Sequence, residues 1–307
     1  MRSAQRLGCK LAPMHPDDGV EALLMGAVDT HVHTAPDLVP RKLDDFEAAR
    51  QAREAGMAAV VLKNHFFPTA LRAGLVETEV PGVRMIGSIV LNQSMGGVNP
   101  WSVEAAARAG ARVVWMPTAH ASNQLEHEHR EGRPHRAGLT LPGRDAAVTV
   151  FSTNGTPSAD TEAVLEIVRD RGMVLATGHL SPDEIDRLSA RAISMGLRKI
   201  VLTHPDLPVV AMPVAFQQRM AERGVYFERT FNVTGRPEAK LPLAALAARI
   251  REVGLDSTVL ATDYGQMDNP YPVDGMRAYM GGLLDNGFSG AEVRRMASDN
   301  ARALLDV

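Results

Sequence analysis

The sequence predicts an α/β protein built as a (β/α)8 TIM barrel, and three observations predict it. The chain has 307 residues, long for one ordinary domain but normal for one α/β barrel. Short β-branched runs recur along it, most of them following a helix-like stretch that ends in glycine. These runs are apolar almost without a break, as parallel strands covered on both faces must be.

In order, the strands are read in "AVDTHVH", "REAGMAAVVLK", "VRMIGSIVLN", "ARAGARVVWMP", "RDRGMVLATGH", "SMGLRKIVLTH", "AERGVYFERT" and "REVGLDSTVLATD". Gly56, Gly110, Gly172, Gly196, Gly224 and Gly254 fit the position just past a helix end, where a left-handed backbone costs glycine little. Amphipathic stretches at 43–55, 101–109, 159–171, 183–195, 212–223, 240–253 and 276–287 supply helices between strands. An open doubly wound sheet is the rival, but no glycine-rich phosphate fingerprint follows the first strand.

One segment, about 120–158 after strand four, breaks the rhythm and reads as an insertion at the catalytic mouth of a single domain spanning 1–307. Its second part alternates like a hairpin around "PGRD". Its "HEH", His127 to His129, lies among charges and reads as a solvated loop.

Composition narrows the function. Thirty-three basic residues nearly balance 36 acidic ones, for a formal charge of -3, so nothing advertises nucleic acid or an anionic membrane. A small-molecule substrate is the expected partner, and assembly into a homo-oligomer stays open. The single cysteine, Cys9, cannot close an internal disulfide, and no apolar leader follows Arg2 and Arg6. No segment is long and apolar enough to span a bilayer, so the expected location is the cytoplasm. Trp101, Trp115 and the fifteen methionines read as core.

Residues i and i+2 of a strand point the same way, so His31 and His33 share a face, with Asp29 expected below them. At the C-terminal end of a barrel strand, that face looks into the mouth. His179 ends strand five, His204 strand six and Asp263 strand eight, each the first strongly polar residue of ligand type after an apolar run. In a barrel the five converge, and imidazole with carboxylate is the ligand chemistry of Zn²⁺ and similar ions.

This order of motifs, HxH on strand one, His on strands five and six, Asp on strand eight, resembles the amidohydrolase superfamily of metal-dependent hydrolases. The resemblance runs from residue 29 to 263. It implies that His31, His33 and Asp263 bind a first ion. His179 would complete that ion's protein ligands in one-metal members, or join His204 at a second ion. It implies further that Asp263 accepts a proton from the attacking water, and that the cofactor is a divalent metal, with Zn²⁺ expected as one ion or two.

There is a departure. Two-metal members usually bridge the ions with a carboxylated lysine or a glutamate from strand four, and here that strand ends "VVWMPTAH". With one ion, His204 would act on the substrate. With two, Lys63, which ends strand two with His65 on its face, is the candidate bridge. The preferred alternative is a Lys63 ammonium at the pocket edge that meets an anionic substrate. His120, Glu228, Arg229 and Asn232 lie near the ends of strands four and seven. Glu228 and Arg229 point to opposite sides, so one of them faces the mouth. The expected catalytic residues are thus Asp263, His204 and Lys63, with Lys63, His65, His120 and Arg229 as substrate contacts.

The expected activity is hydrolysis of an amide, ester, lactone or cyclic amide bond in a small substrate, which Lys63, and Arg229 if inward, suggest is anionic. A decarboxylase or isomerase of the same fold is the enzymatic alternative. A metal-holding protein without turnover is the other, against which the presence of Asp263 argues.

Overall fold

Eight parallel staves carry the fold in the computed structural model, which describes residues 16–135, 139–141, 146–235 and 241–307. They are β1 (Val28–Val32), β2 (Ala59–Leu62), β3 in two halves (Arg84–Ile86 and Ser88–Val90), β4 (Val113–Trp115), β5 (Val174–Ala176), β6 (Ile200–Thr203), β7 (Tyr226–Thr230) and β8 (Thr258–Ala261). Each pairs in parallel with the next, in a three-stranded and a six-stranded set that meet at the break in β3. Beyond the end of β8, Asp263 N donates to His31 O (2.9 Å) and His33 N to Tyr264 O (2.8 Å), tying the last stave to the first.

Two apolar layers follow the strand alternation. Val61, Val113, Trp115, Ala176 and Val201 fill the barrel, and Ala301, Leu304 and Leu305 from the helix Asn300–Leu305 pack into the same cluster. Val60, Val114, Leu175, Leu202 and Leu260 face outward against the helices. Polar mouth residues therefore cap an interior that is apolar below them.

Helices follow the seven expected amphipathic stretches, at Asp45–Glu54, Pro100–Arg108, Ala159–Asp170, Pro182–Ser194, Val214–Glu222, Leu243–Val253 and Pro272–Asp285. Their starts are set by local chemistry: Asp44 and Ser158 accept backbone N–H groups, and Ser181 with Glu184 forms a capping box. Among the described residues no helix is long and apolar enough to cross a membrane.

Several expectations need correction. The residues around "HEH" form a helix, Ser122–Arg130, with Glu128 buried, rather than a solvated loop. The "PGRD" turn and Cys9 lie outside the described residues; the flanks of that turn, 139–141 and 146–150, contain no strand, and Val148 makes an isolated parallel bridge to Ala121. Trp115 is core, but Trp101 is 85% exposed. Asp29 is not below the histidines. The β1–β2 register shifts between Asp29 and Val32, so Thr30 and His31 both reach Glu228 inside the barrel. Asp29 instead lies with Val32 and Val60 on the helix side, where it accepts from Thr262 N (3.0 Å) and Thr262 Oγ1. Such irregularities re-aim side chains beside active sites.

Candidate functional site

The irregularity in β1 brings His31 Nε2 and His33 Nε2 to 3.2 Å from each other. Asp263 Oδ1 lies 3.3 Å from the first and 3.2 Å from the second. With bonds of roughly 2.0–2.1 Å, the donor atoms of tetrahedral Zn²⁺ stand about 3.3 Å apart. The three atoms thus form one face of such a tetrahedron.

The surrounding groups set their roles. His31 Nδ1 meets Glu228 Oε2 at 2.9 Å. A proton placed there leaves a lone pair on Nε2, the arrangement by which a carboxylate orients a metal-binding histidine. Burial pushes the His33 imidazole down to about 3, helped by the positive charge of Arg41, so it stays neutral. Asp263 Oδ2 accepts from Asn232 Nδ2 at 3.0 Å. Asp263 and His204 both take left-handed backbone, φ 55° and 51°, at a cost of about 1–3 kcal/mol each. Behind Asp263, Gly265 packs so closely on β1 that a Cβ there would lie 1.7 Å from His33 O.

Across the mouth, His179 follows Gly178, whose absent Cβ would fall 2.4 Å from two carbonyl oxygens, those of Met116 and Pro117. Its Nδ1 is 2.7 Å from Gln124 Oε1, and Gln124 Nε2 donates to Glu128 Oε1, also at 2.7 Å. Glu128 Oε2 then meets His135 Nδ1 at 3.1 Å. Gln124 and Glu128 lie four apart on the helix Ser122–Arg130, spacing that places both on one face. His204 Nδ1 is 3.3 Å from Thr230 Oγ1, and its Nε2 is 4.0 Å from Asp263 Oδ2. The His179 and His204 ring centroids are 5.4 Å apart. A second cluster able to hold a cation joins His31, His204 and Glu228.

These groups open into a cavity of about 270 Å³ whose lining includes His33, Lys63, His65, His179, His204 and Asp263. Lys63 is fully buried rather than at the edge, with Nζ 5.1 Å from the Trp115 ring centroid. Burial raises the Glu228 carboxyl above its ordinary range, to about 8, and the positive charge of Lys63 opposes that rise. His65 stacks on His33 with centroids 5.0 Å apart and meets Thr118 Oγ1 at 2.9 Å. Burial holds its imidazole far below the ordinary range.

Two expected substrate contacts are not on the cavity. Arg229 is the outward member of its pair: its guanidinium donates to Asp206 (2.7 Å) and Gln217 (2.6 Å) in the helical layer. His120 is buried and directed at Leu139 O (3.0 Å), while Ala119 lines the cavity. Sequence reasoning missed Arg41, Gln124 and Gln266, which do line it.

The comparisons agree with this picture at the level of fold. The chain belongs to DUF6282, a family of unknown function, whose model matches residues 26–228. No curated protein matches it. Among solved structures it is similar to an amidohydrolase from Pseudomonas aeruginosa, with TM-score 0.64 and 11% identity over 95% of this chain and 98% of that one. It is also similar to the phosphotriesterase homology protein from Escherichia coli, complexed with phosphate in its active site (0.57, 14%, 91% and 98%). A third is 5-carboxyvanillate decarboxylase LigW from Sphingomonas paucimobilis (0.51, 12%, 92% and 99%). The chain therefore shares its barrel fold with these structures.

Proposed function

We propose that this chain is a metal-dependent hydrolase that cleaves an amide, ester, lactone or cyclic amide bond of a small molecule. The observation that carries the reading is the triangle of His31 Nε2, His33 Nε2 and Asp263 Oδ1, with edges of 3.2–3.3 Å. Two imidazoles and a carboxylate so close together form a donor set suited to a divalent cation, Zn²⁺ first among them. When bound, such an ion lowers the pKa of water towards about 7 and polarises a carbonyl oxygen.

The protein's own groups do the rest. Glu228 fixes the His31 ring through Nδ1. Asp263 keeps Oδ1 in the triangle and directs Oδ2 towards Asn232 and His204, placing a base where a proton can be taken from water and passed to the leaving group. His204, on the other side of Oδ2, is placed to hold the substrate oxygen or, with His179, a second ion. Phe66 and Leu207 add apolar surface to the cavity lining. The segment 120–158 contributes Gln124, which orients His179.

The test is metal analysis per chain on protein prepared without added metal, followed by a screen of esters, lactones and amides with the ion found. One or two divalent ions and turnover of one of these bond types is the expected result. A chain that neither carries nor takes up a divalent ion would refute the reading, and turnover confined to carboxylic acids losing CO₂ would replace hydrolysis with decarboxylation.

A further inference from the structure

We infer that Arg41 is the anion subsite of this cavity and that the substrate carries a carboxylate, bound end-on by the two terminal nitrogens of that guanidinium. The inference deepens the hydrolase reading, on which it relies only for which end of the substrate reacts.

Arg41 lies in the loop after β1, and its placement is built. Its Nε donates to Asp37 Oδ2 at 2.7 Å, and both side chains are at most 5% exposed. Asp37 is itself held, its Oδ1 accepting from Leu38 N at 2.6 Å. The backbone is pinned to the loop that follows Asp263: Lys42 N donates to Gly265 O at 2.9 Å, and Arg41 makes an antiparallel bridge with Gln266. The guanidinium thus lines the same cavity as His33 and Asp263, and its charge is felt by both His33 and His65.

With Nε spent on Asp37, the Nη atoms have no hydrogen-bond partner among the described residues. Two parallel N–H groups at the end of a fixed planar fork match the two oxygens of a carboxylate. Lys63 adds a second positive charge to the lining, against the single carboxylate of Asp263. Val39, Phe66, Ala119 and Leu207 supply the apolar part of the lining. At about 270 Å³ the space is smaller than that of a drug-sized ligand, roughly 300–1,000 Å³. A small acid with a short apolar body fits this lining, its carboxylate at Arg41 and its scissile carbonyl near the histidine–aspartate triangle. A phosphate can also take such a fork with two oxygens, so inorganic phosphate is the competing anion in the test.

The experiment is calorimetric titration of the full chain with propionate, malonate and inorganic phosphate, once as isolated and once after dialysis against a chelator. Carboxylate binding is expected in both preparations and should weaken roughly 10-fold or more in Arg41→Met, the effect of losing a charge-assisted hydrogen-bond pair. Arg41→Lys keeps the charge and loses the fork, and should fall between. Asp37→Asn frees the anchor, leaves the guanidinium intact and should weaken binding less than Arg41→Met. Melting temperatures of the variants check that each is folded. Equal carboxylate affinity in wild type and Arg41→Met would overturn the subsite, as would phosphate binding tighter than either carboxylate. Binding that vanishes on chelation would put the anion on the metal and overturn it too. Absence of any metal with Arg41-dependent binding intact would instead count against the hydrolase reading alone.

Discussion

The two sides of the barrel mouth are built differently. On the β1/β8 side, His31, His33 and Asp263 come from staves tied by backbone hydrogen bonds, and their donor atoms already stand 3.2–3.3 Å apart. On the β5/β6 side, the His179 and His204 rings are 5.4 Å apart, and each is aimed by a side chain from elsewhere, Gln124 and Thr230. The first arrangement is a product of the barrel itself. The second depends in part on a helix from the segment after β4. A cation seated on the first side therefore meets ligands whose ordering cost is already met by folding, whereas one on the second must rely on Gln124 staying in place.

The largest effect should come from the ordered side. Replacing His31 and His33 together with alanine removes two of three converging donors, so at least one ion per chain should be lost, by elemental analysis, and turnover with it. Full metal retention in that variant would mean that these donors do not hold the ion. Next in size is Asp263→Asn, which keeps an oxygen in the triangle but no basic carboxylate. The fold and bound metal should persist while kcat drops about 10²-fold or more. An unchanged kcat would mean that another group takes the proton.

A matched pair then sharpens the contrast. Glu228→Gln replaces the carboxyl that orients His31, and the first ion should bind roughly 10-fold or more weaker, as for other residues supporting a ligand. Gln124→Leu removes the acceptor from His179, and here the first ion's affinity should hold while turnover falls by about 10-fold. Both are read by metal titration against a chromogenic chelator. Should Gln124→Leu release the first ion, His179 belongs to that ion, and the two sides form one site.

How much of this was legible follows from which residues obey a local rule. The histidines and aspartate at strand ends are readable because each interrupts an apolar run, and a parallel barrel brings such positions together. Glu228 and Arg229 were readable as a pair of opposite direction, but choosing between them needed the packed helix carrying Gln217, which claims the arginine. Asp29 misled because the period-2 rule fails at an irregularity, and nothing in "VDTHV" announces one. Gln124 and Glu128 do carry a signal, their spacing of four, within a run otherwise read as a charged loop. Arg41 carries none: it reaches the cavity because its loop pairs with the one after Asp263, a contact between residues more than two hundred positions apart.

The smallest effect is expected at Lys63, and it decides whether the second side contains a bridge. The ammonium lies 5.1 Å from the Trp115 ring centroid, and its charge acts on Glu228, both of which suit a cation in a buried position. Carboxylation by CO₂ would turn it into an anion able to join two ions. Lys63→Met keeps much of the length and removes both charge and bridging capacity. If Lys63 is an ammonium, the number of ions per chain should stay the same and the affinity for an anionic substrate should fall. Because the Lys63 charge opposes the rise at Glu228, some loss of thermal stability is also expected, and it should shrink in the double variant Lys63→Met/Glu228→Gln, where the Glu228 carboxyl is gone as well. A wild-type chain with two ions and a mutant with one would instead make Lys63 the bridge, and the second side of the mouth would then be a metal site in its own right.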